Sequence, residues 1–151
     1  MNPWVSPFGD LKVAKKKSIP ELVRQAHERA VKSRSRAYAP YSKFKVGAAV
    51  VSKGKIYSGC NVENASYGGT ICAERNAIFH AVEQGAQSFD HVVIVADTEN
   101  PTPPCGFCRQ VMAEFCSPKT QVWLGNEKGI TKVYDFATIL PEPFGPSYLK
   151  D

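Results

Sequence analysis

A chain of 151 residues is the size of one domain with a sizeable buried core, and 43% hydrophobic with 22% charged residues is ordinary globular composition. No run approaches the roughly 18 apolar residues of a membrane-spanning helix, and no internal repeat or low-complexity tract is present. The net charge of +5 is uneven: residues 1–55 hold thirteen Lys or Arg against three Asp or Glu, and residues 56–151 six against eleven. Such a basic third can mark a nucleic-acid footprint, but its aromatic residues do not interleave the basic run in a stacking pattern, which favours a solvated face and tail.

Residues 1–17 read as an extension ahead of a single domain at 18–151, with Trp4 and Phe8 as candidate anchors onto a neighbouring surface. Two prolines, a glycine, an aspartate and Lys15-Lys16-Lys17 stand where a signal peptide would need an apolar core, so a cytoplasmic location is expected. Ser18-Ile19-Pro20-Glu21 has the capping-box pattern and predicts a helix with Ser18 as N-cap. Ile19, Leu22, Val23, Ala26 and Ala30 form its apolar stripe, and it ends before Pro40. Phe44–Val51 and Ile56–Val62 flank Ser52-Lys53-Gly54-Lys55 and predict a hairpin.

A helical run from Thr70 to Gln84 follows, with Gly85 where a C-cap ends it. Val92-Val93-Ile94-Val95, within His91–Ala96, is a continuous apolar run that suits a central strand covered on both faces. The stiff stretch Asn100-Pro101-Thr102-Pro103-Pro104 delivers a second helix, Cys105–Cys116, striped by Phe107, Val111, Met112 and Phe115. Thr120–Leu124 and Gly129–Val133 supply two further strands, and Asp135–Leu140 a brief helix. Strands alternating with helical stripes make an α/β layer fold.

The chemistry lies in Cys72-Ala73-Glu74-Arg75 and Pro104-Cys105-Gly106-Phe107-Cys108-Arg109-Gln110. Cys72, Cys105 and Cys108 offer three soft ligands, a set that suits zinc and leaves the fourth tetrahedral position for water or substrate. A lone Cys-x-x-Cys is equally compatible with a structural zinc or a redox dithiol; a closed structural site, however, needs a fourth Cys or His, and neither segment carries one at ligand spacing. Glu74, two residues past Cys72, can face the open position from outside the ligand set and move protons. Both segments open helices, whose N-terminal N–H groups favour thiolate over thiol. Three thiolates overcharge a divalent ion, and the Arg75 guanidinium beside them can offset the excess. Cys60 and Cys116 are left over and read as buried free thiols, and His27 as a packing residue.

Cys-Ala-Glu followed by Pro-Cys-x-x-Cys resembles the zinc nucleobase deaminases in their three-cysteine form. With Tyr38-Ala39-Pro40-Tyr41-Ser42-Lys43-Phe44-Lys45-Val46-Gly47-Ala48-Ala49 and Gly59-Cys60-Asn61-Val62-Glu63-Asn64-Ala65-Ser66-Tyr67, the chain resembles the small homotetrameric cytidine deaminases over residues 19–149. The resemblance implies a three-layer α/β/α sandwich around a five-stranded mixed sheet. It implies Zn²⁺-dependent hydrolysis of cytidine and 2′-deoxycytidine to the uridine products with release of ammonia. Activated water attacks C4 while Glu74 relays protons to N3 and to the departing amino group.

It further implies that Asn61 and Glu63, sharing one face of an extended segment, hold the ribose hydroxyls, that Phe44 lies against the pyrimidine, and that the backbone of Ala73 meets the base. Ala65 and Tyr67 would reach the sugar of a neighbouring subunit, Phe144 would cover a neighbouring pocket, and Gln110 would orient Arg75. Two other readings are a deaminase of a cytosine nucleoside antibiotic such as blasticidin S and a zinc-stabilised nucleic-acid-binding module built on the basic first third. The Asn61/Glu63 pair together with Arg75 argues against the first, and the open fourth ligand position against the second.

Overall fold

The strand that carries the central apolar run, β3 (Phe89–Ala96), has five consecutive buried residues from Val92 to Ala96 and lies at the middle of a five-stranded sheet. The other strands are β1 (Val46–Ser52), β2 (Lys55–Cys60), β4 (Cys116–Asn126) and β5 (Gly129–Asp135), in the order β2-β1-β3-β4-β5. Only β3 and β4 run parallel; the other neighbours are antiparallel, so the sheet is mixed as expected. The computed structural model describes residues 18–149, and the extension with Trp4 and Phe8 lies outside them.

Helices cover both faces. On one, α1 (Glu21–Arg34) buries Val23, Ala26 and Ala30 against Ala49, Val51, Val93, Val95 and Trp123. On the other, α2 (Ala73–Glu83), α3 (Gly106–Phe115) and α4 (Phe136–Ile139) pack Ala77, Ile78, Met112 and Phe136 on Val50, Val92, Ile94, Val122 and Leu124. Alternation along the strands explains the split: Val93 and Val95 face α1, while Val92 and Ile94 face α2 and α3. Each such buried aliphatic side chain contributes about 1.5–3 kcal/mol. The continuous apolar run thus reports a strand buried on both faces.

The start of α1 differs from expectation. Its N-cap is Pro20, without a side-chain cap, and Ser18 lies outside the helix. Had Ser18 been the cap, Ile19 would have been helical immediately before a proline, where the ring clashes with α geometry. Pro20 takes φ −59° and ψ 147°, and its carbonyl accepts from the Val23 and Arg24 amides at 3.0 and 3.1 Å. The hairpin turn is Lys53-Gly54, both at positive φ (48° and 78°), as a two-residue type I′ turn requires. Residues 61 and 62, expected at the end of β2, leave its ladder with β1, and this departure shapes the site.

Gly59 sets how closely α2 approaches the sheet. A Cβ at Gly59 would lie 2.5 Å from the Ala77 amide nitrogen and 2.8 Å from the Asn76 carbonyl carbon. Because α2 begins directly after Cys72, pushing it outward also moves the site. Gly59→Val is expected to lower stability by about 1–3 kcal/mol, the usual cost of overpacking, read as a lower urea midpoint at an unchanged m-value.

Candidate metal centre

Cys72 is the N-cap of α2 and Cys105 the N-cap of α3, each in extended conformation, and neither sulfur is spent on capping its own helix. Chain geometry makes them meet. The β3–α3–β4 crossover places the N-terminus of α3 just beyond the C-terminal end of β3, and α2 lies on the same face of the sheet. Cys108 follows one turn into α3, fully buried under the core residues it joins.

The three sulfurs lie within 4.8 Å of one another, and Cys72 Sγ is 3.8 Å from Cys105 Sγ. Tetrahedral zinc with Zn–S bonds of about 2.3 Å requires S···S separations of about 3.8 Å, so the donors fit that ion without rearrangement at this edge. Among the described residues no fourth His, Cys, Asp or Glu donor joins the set. Zinc held by Cys72, Cys105 and Cys108 therefore keeps one position open.

Glu74, in the first turn of α2, is 5% exposed. Burial pushes its carboxyl up to about 7, its own backbone amide opposes the shift, and the charge on the Cys72 sulfur adds to it. In the metal-free cluster, the Cys108 thiol holds Cys72 down at about 5, with Arg75 assisting, while the same contact and burial push Cys108 upward. These contacts favour the thiolate on Cys72, the form a metal ligand requires.

Arg75 stands where the charge argument needs it. Its Nη2 donates to Cys72 Sγ at 3.5 Å and to the Thr70 carbonyl at 3.2 Å, and its guanidinium lies 5.7 Å from the centroid of the Phe107 ring. Its Nε–H is buried without an acceptor among the described residues. Gln110 does not reach it: the Gln110 amide donates instead to the Phe144 carbonyl at 2.7 Å and holds the C-terminal segment on α3. Phe144 itself stacks on Tyr148 with ring centroids 5.6 Å apart.

Asn61 and Glu63 are held beside the first cysteine by pairing that the sequence does not advertise. Val62 pairs with both Tyr38 and Ile71, through bonds from Tyr38 N to Asn61 O (3.1 Å), Glu63 N to Tyr38 O (2.8 Å) and between Val62 and Ile71 (2.9 and 3.0 Å). Ile71 immediately precedes Cys72, so this miniature ladder ties the 61–63 segment to the metal ligand. Both side chains turn toward residues 41–46, in keeping with their two-residue spacing. Asn61, buried, accepts from Val46 N and donates to the Phe44 carbonyl, both at 2.8 Å.

Glu63 accepts from the Tyr41 and Ser42 amides at 2.9 and 3.2 Å and from the Ser42 hydroxyl. The Ser42 hydroxyl chiefly holds the Glu63 carboxyl below its usual value, so it stays ionised. Neither group is saturated: Asn61 retains one N–H and Glu63 at least one lone pair. An open cavity of about 380 Å³ is lined by Tyr41, Ser42, Glu63, Tyr67 and Thr70. Phe44 is 41% exposed, Ala73 is buried, and Ala65 is exposed. Ser42, which clamps Glu63, carries a role that sequence reasoning left unassigned; its only signal was its place in the Tyr41-Ser42 motif.

The comparisons agree with this geometry. Residues 20–124 match the family model described as the cytidine and deoxycytidylate deaminase zinc-binding region. A cytidine deaminase of Sporosarcina psychrophila is 53% identical over 114 residues, covering 75% of this chain and 84% of that protein. One from Halalkalibacterium halodurans is 47% identical over 123 residues, covering 81% and 93%. The crystal structure of the cytidine deaminase from Burkholderia pseudomallei superposes with a TM-score of 0.76 at 47% identity, over 80% of this chain and 98% of that one. With the matched region running through Cys72, Cys105, Cys108 and Glu74, and with their arrangement fit for zinc, the chain belongs to the cytidine and deoxycytidylate deaminase family.

Proposed function

We propose that the protein hydrolyses cytidine and 2′-deoxycytidine to uridine and 2′-deoxyuridine, releasing ammonia, by means of a zinc-activated water. The observation that carries this reading is the buried Glu74 beside three sulfurs spaced for tetrahedral zinc, with no fourth protein ligand among the described residues. Zinc held there supplies Lewis-acid activation of water.

The chain's own residues do the rest. Glu74 takes a proton from the nucleophile and passes it to N3 of the pyrimidine, then takes the proton of the new hydroxyl on C4 and delivers it to the departing amino group. Arg75 donates to Cys72 and spreads the sulfur charge. The spare N–H of Asn61 and the spare lone pair of ionised Glu63 bind the ribose hydroxyls, Phe44 lies against the base, and the backbone of Ala73 at the start of α2 meets its polar edge.

The assembly proposed is a homotetramer with shared sites. Exposed aromatics near the site support it: Phe107 is 77%, Tyr67 76% and Phe144 58% exposed in the single chain, apolar side chains that a neighbouring subunit would cover. Ala65 and Tyr67 would then meet the sugar bound in a neighbouring subunit, and Phe144 would cover a neighbouring pocket. None of the described helices is long and apolar enough to cross a membrane, and the cytoplasm is the proposed location.

The test is direct. Zinc-loaded protein is expected to release ammonia from both nucleosides, with matching loss of cytosine absorbance, and to migrate at four times the chain mass. Stoichiometric zinc with no ammonia from either nucleoside would refute the substrate assignment; blasticidin S in a parallel assay decides whether an antibiotic is turned over in their place.

A further inference from the structure

We propose that Arg109 is a positioning residue for the metal centre, latching the loop that presents Cys105 to the C-terminal part of the fold. The proposal rests on the zinc reading of the three cysteines and goes beyond it by assigning a role to a side chain that touches neither substrate nor sulfur.

The guanidinium of Arg109 bridges two carbonyls far apart in sequence: Nε donates to Pro104 O at 2.8 Å and Nη1 to Ile139 O at 2.9 Å. Pro104 is the residue immediately before Cys105, and Ile139 is the last residue of α4, a short helix anchored on the core by buried Phe136. The latch therefore fixes the peptide leading into one ligand, by a residue adjacent to another ligand, against an element that is independently packed.

The loop needs such a tie. Between the end of β3 and the start of α3, residues 98–104 take part in no backbone-to-backbone hydrogen bond outside helices and strands among the described residues. Pro101, Pro103 and Pro104 have no N–H to offer. The side-chain bonds there sit mostly at the other end: Thr98 Oγ1 reaches Asn100 O at 2.6 Å and Thr102 Oγ1 at 2.9 Å, and Asn126 Nδ2 reaches Thr98 O at 3.5 Å. At the ligand end Pro104 is buried, and the described hydrogen bond to the loop is that of Arg109.

The difference between the ligands makes this matter. Cys108 is enclosed by the core, whereas Cys105 is exposed and depends on the loop for its 3.8 Å approach to Cys72. Freed from Pro104, the loop would let the exposed thiolate leave first, and metal loss would begin there. A planar fork can serve two carbonyls at once, which a lysine ammonium on a flexible stem does poorly.

The experiment uses the full-length zinc-loaded protein. Zinc transfer to an excess of a chromophoric chelator is timed in wild type, Arg109→Gln, Arg109→Lys and His27→Ala, and the cobalt-loaded forms are compared by their ligand-field spectra. His27 bonds Asn126 O at 2.8 Å on the α1 side of the sheet, and Asn126 meets the loop at Thr98, so loss of His27 costs stability without touching the Pro104 end that Arg109 holds. Removing a group that orients metal ligands costs about 10–100-fold in metal retention, so Arg109→Gln should release zinc at least about 10-fold faster. The cobalt spectrum should shift with it, Arg109→Lys should fall between Gln and wild type, and His27→Ala should release zinc at the wild-type rate.

Wild-type release from Arg109→Gln overturns the proposal, as does equally fast release from His27→Ala at matched melting temperature. If Arg109→Gln does not fold, Arg109→Lys decides: faster release supports the latch and wild-type release refutes it. A wild-type chain that holds no zinc would remove the metal centre itself, a failure distinct from that of the latch.

Discussion

Glu74→Gln is expected to keep zinc bound while lowering kcat by about 10²–10⁴-fold, the usual worth of a positioned acid–base group. That loss corresponds to about 2.7–5.5 kcal/mol of barrier. The substitution preserves shape in a site where the side chain is almost wholly enclosed, and it removes only the titratable carboxyl. Ammonia release together with metal content checks it; full turnover, or loss of the metal, would show that Glu74 does not have the role assigned.

The same substitution has an opposite effect on stability. Burial raises the folded pKa of Glu74 from 4.5 to about 7, so its contribution is present below the unfolded value and is lost as pH rises through about 7. Above that pH the metal-free protein carries a buried carboxylate that costs on the order of 3 kcal/mol at most. Metal-free Glu74→Gln should therefore resist urea better than metal-free wild type at pH 8 and gain little at pH 5. In the proposed mechanism the site keeps a destabilising group because proton transfer requires it.

Cys108→Ser is expected to abolish both zinc retention and turnover and to destabilise even the metal-free fold. An alcohol remains protonated where a thiolate is needed, which leaves two sulfur ligands. Cys108 also belongs to the buried core around Ala77, Ile78 and Met112, and a serine hydroxyl left unpaired there costs about 1–3 kcal/mol. Cys105→Ser should lose zinc equally while leaving the metal-free protein near wild-type stability, because Cys105 is exposed. Metal analysis and thermal melts of both variants, with and without chelator, separate ligand loss from core damage. Stoichiometric zinc in Cys108→Ser would exclude that sulfur from the ligand set.

The elements legible in advance were those whose signals are local. The apolar run of β3, the helical stripes of α2 and α3, and Gly85 at positive φ past the end of α2 each express their structure within a few residues. The start of α1 differs from the capping pattern because Pro20, tolerable in a first turn for its own missing N–H, disfavours a helical residue before it, and the ring's clash with a helical Ile19 outweighs one side-chain hydrogen bond. Arg109 was passed over because its acceptors are backbone carbonyls, and a carbonyl 30 positions away leaves no trace in residue type. Gln110 bonds to Phe144 rather than to Arg75 for a related reason: the course of the C-terminal segment over α3 follows from packing, not from any pattern around residue 110.

By itself the sequence determined which atoms could bind a metal and which carboxyl could move a proton, since Cys-x-x-Cys at a helix start and a glutamate two residues beyond another cysteine are short-range arrangements. Only the tertiary structure decided that the two halves meet: Cys72 comes within 3.8 Å of Cys105, Asn61 and Glu63 turn onto residues 41–46, and Arg109 spans to Ile139. Those distances are set by strand register, by the crossover from β3 to β4 and by the glycine that lets α2 settle on the sheet. Such features arise from closing long loops around a common core, and no local stretch of residues encodes them.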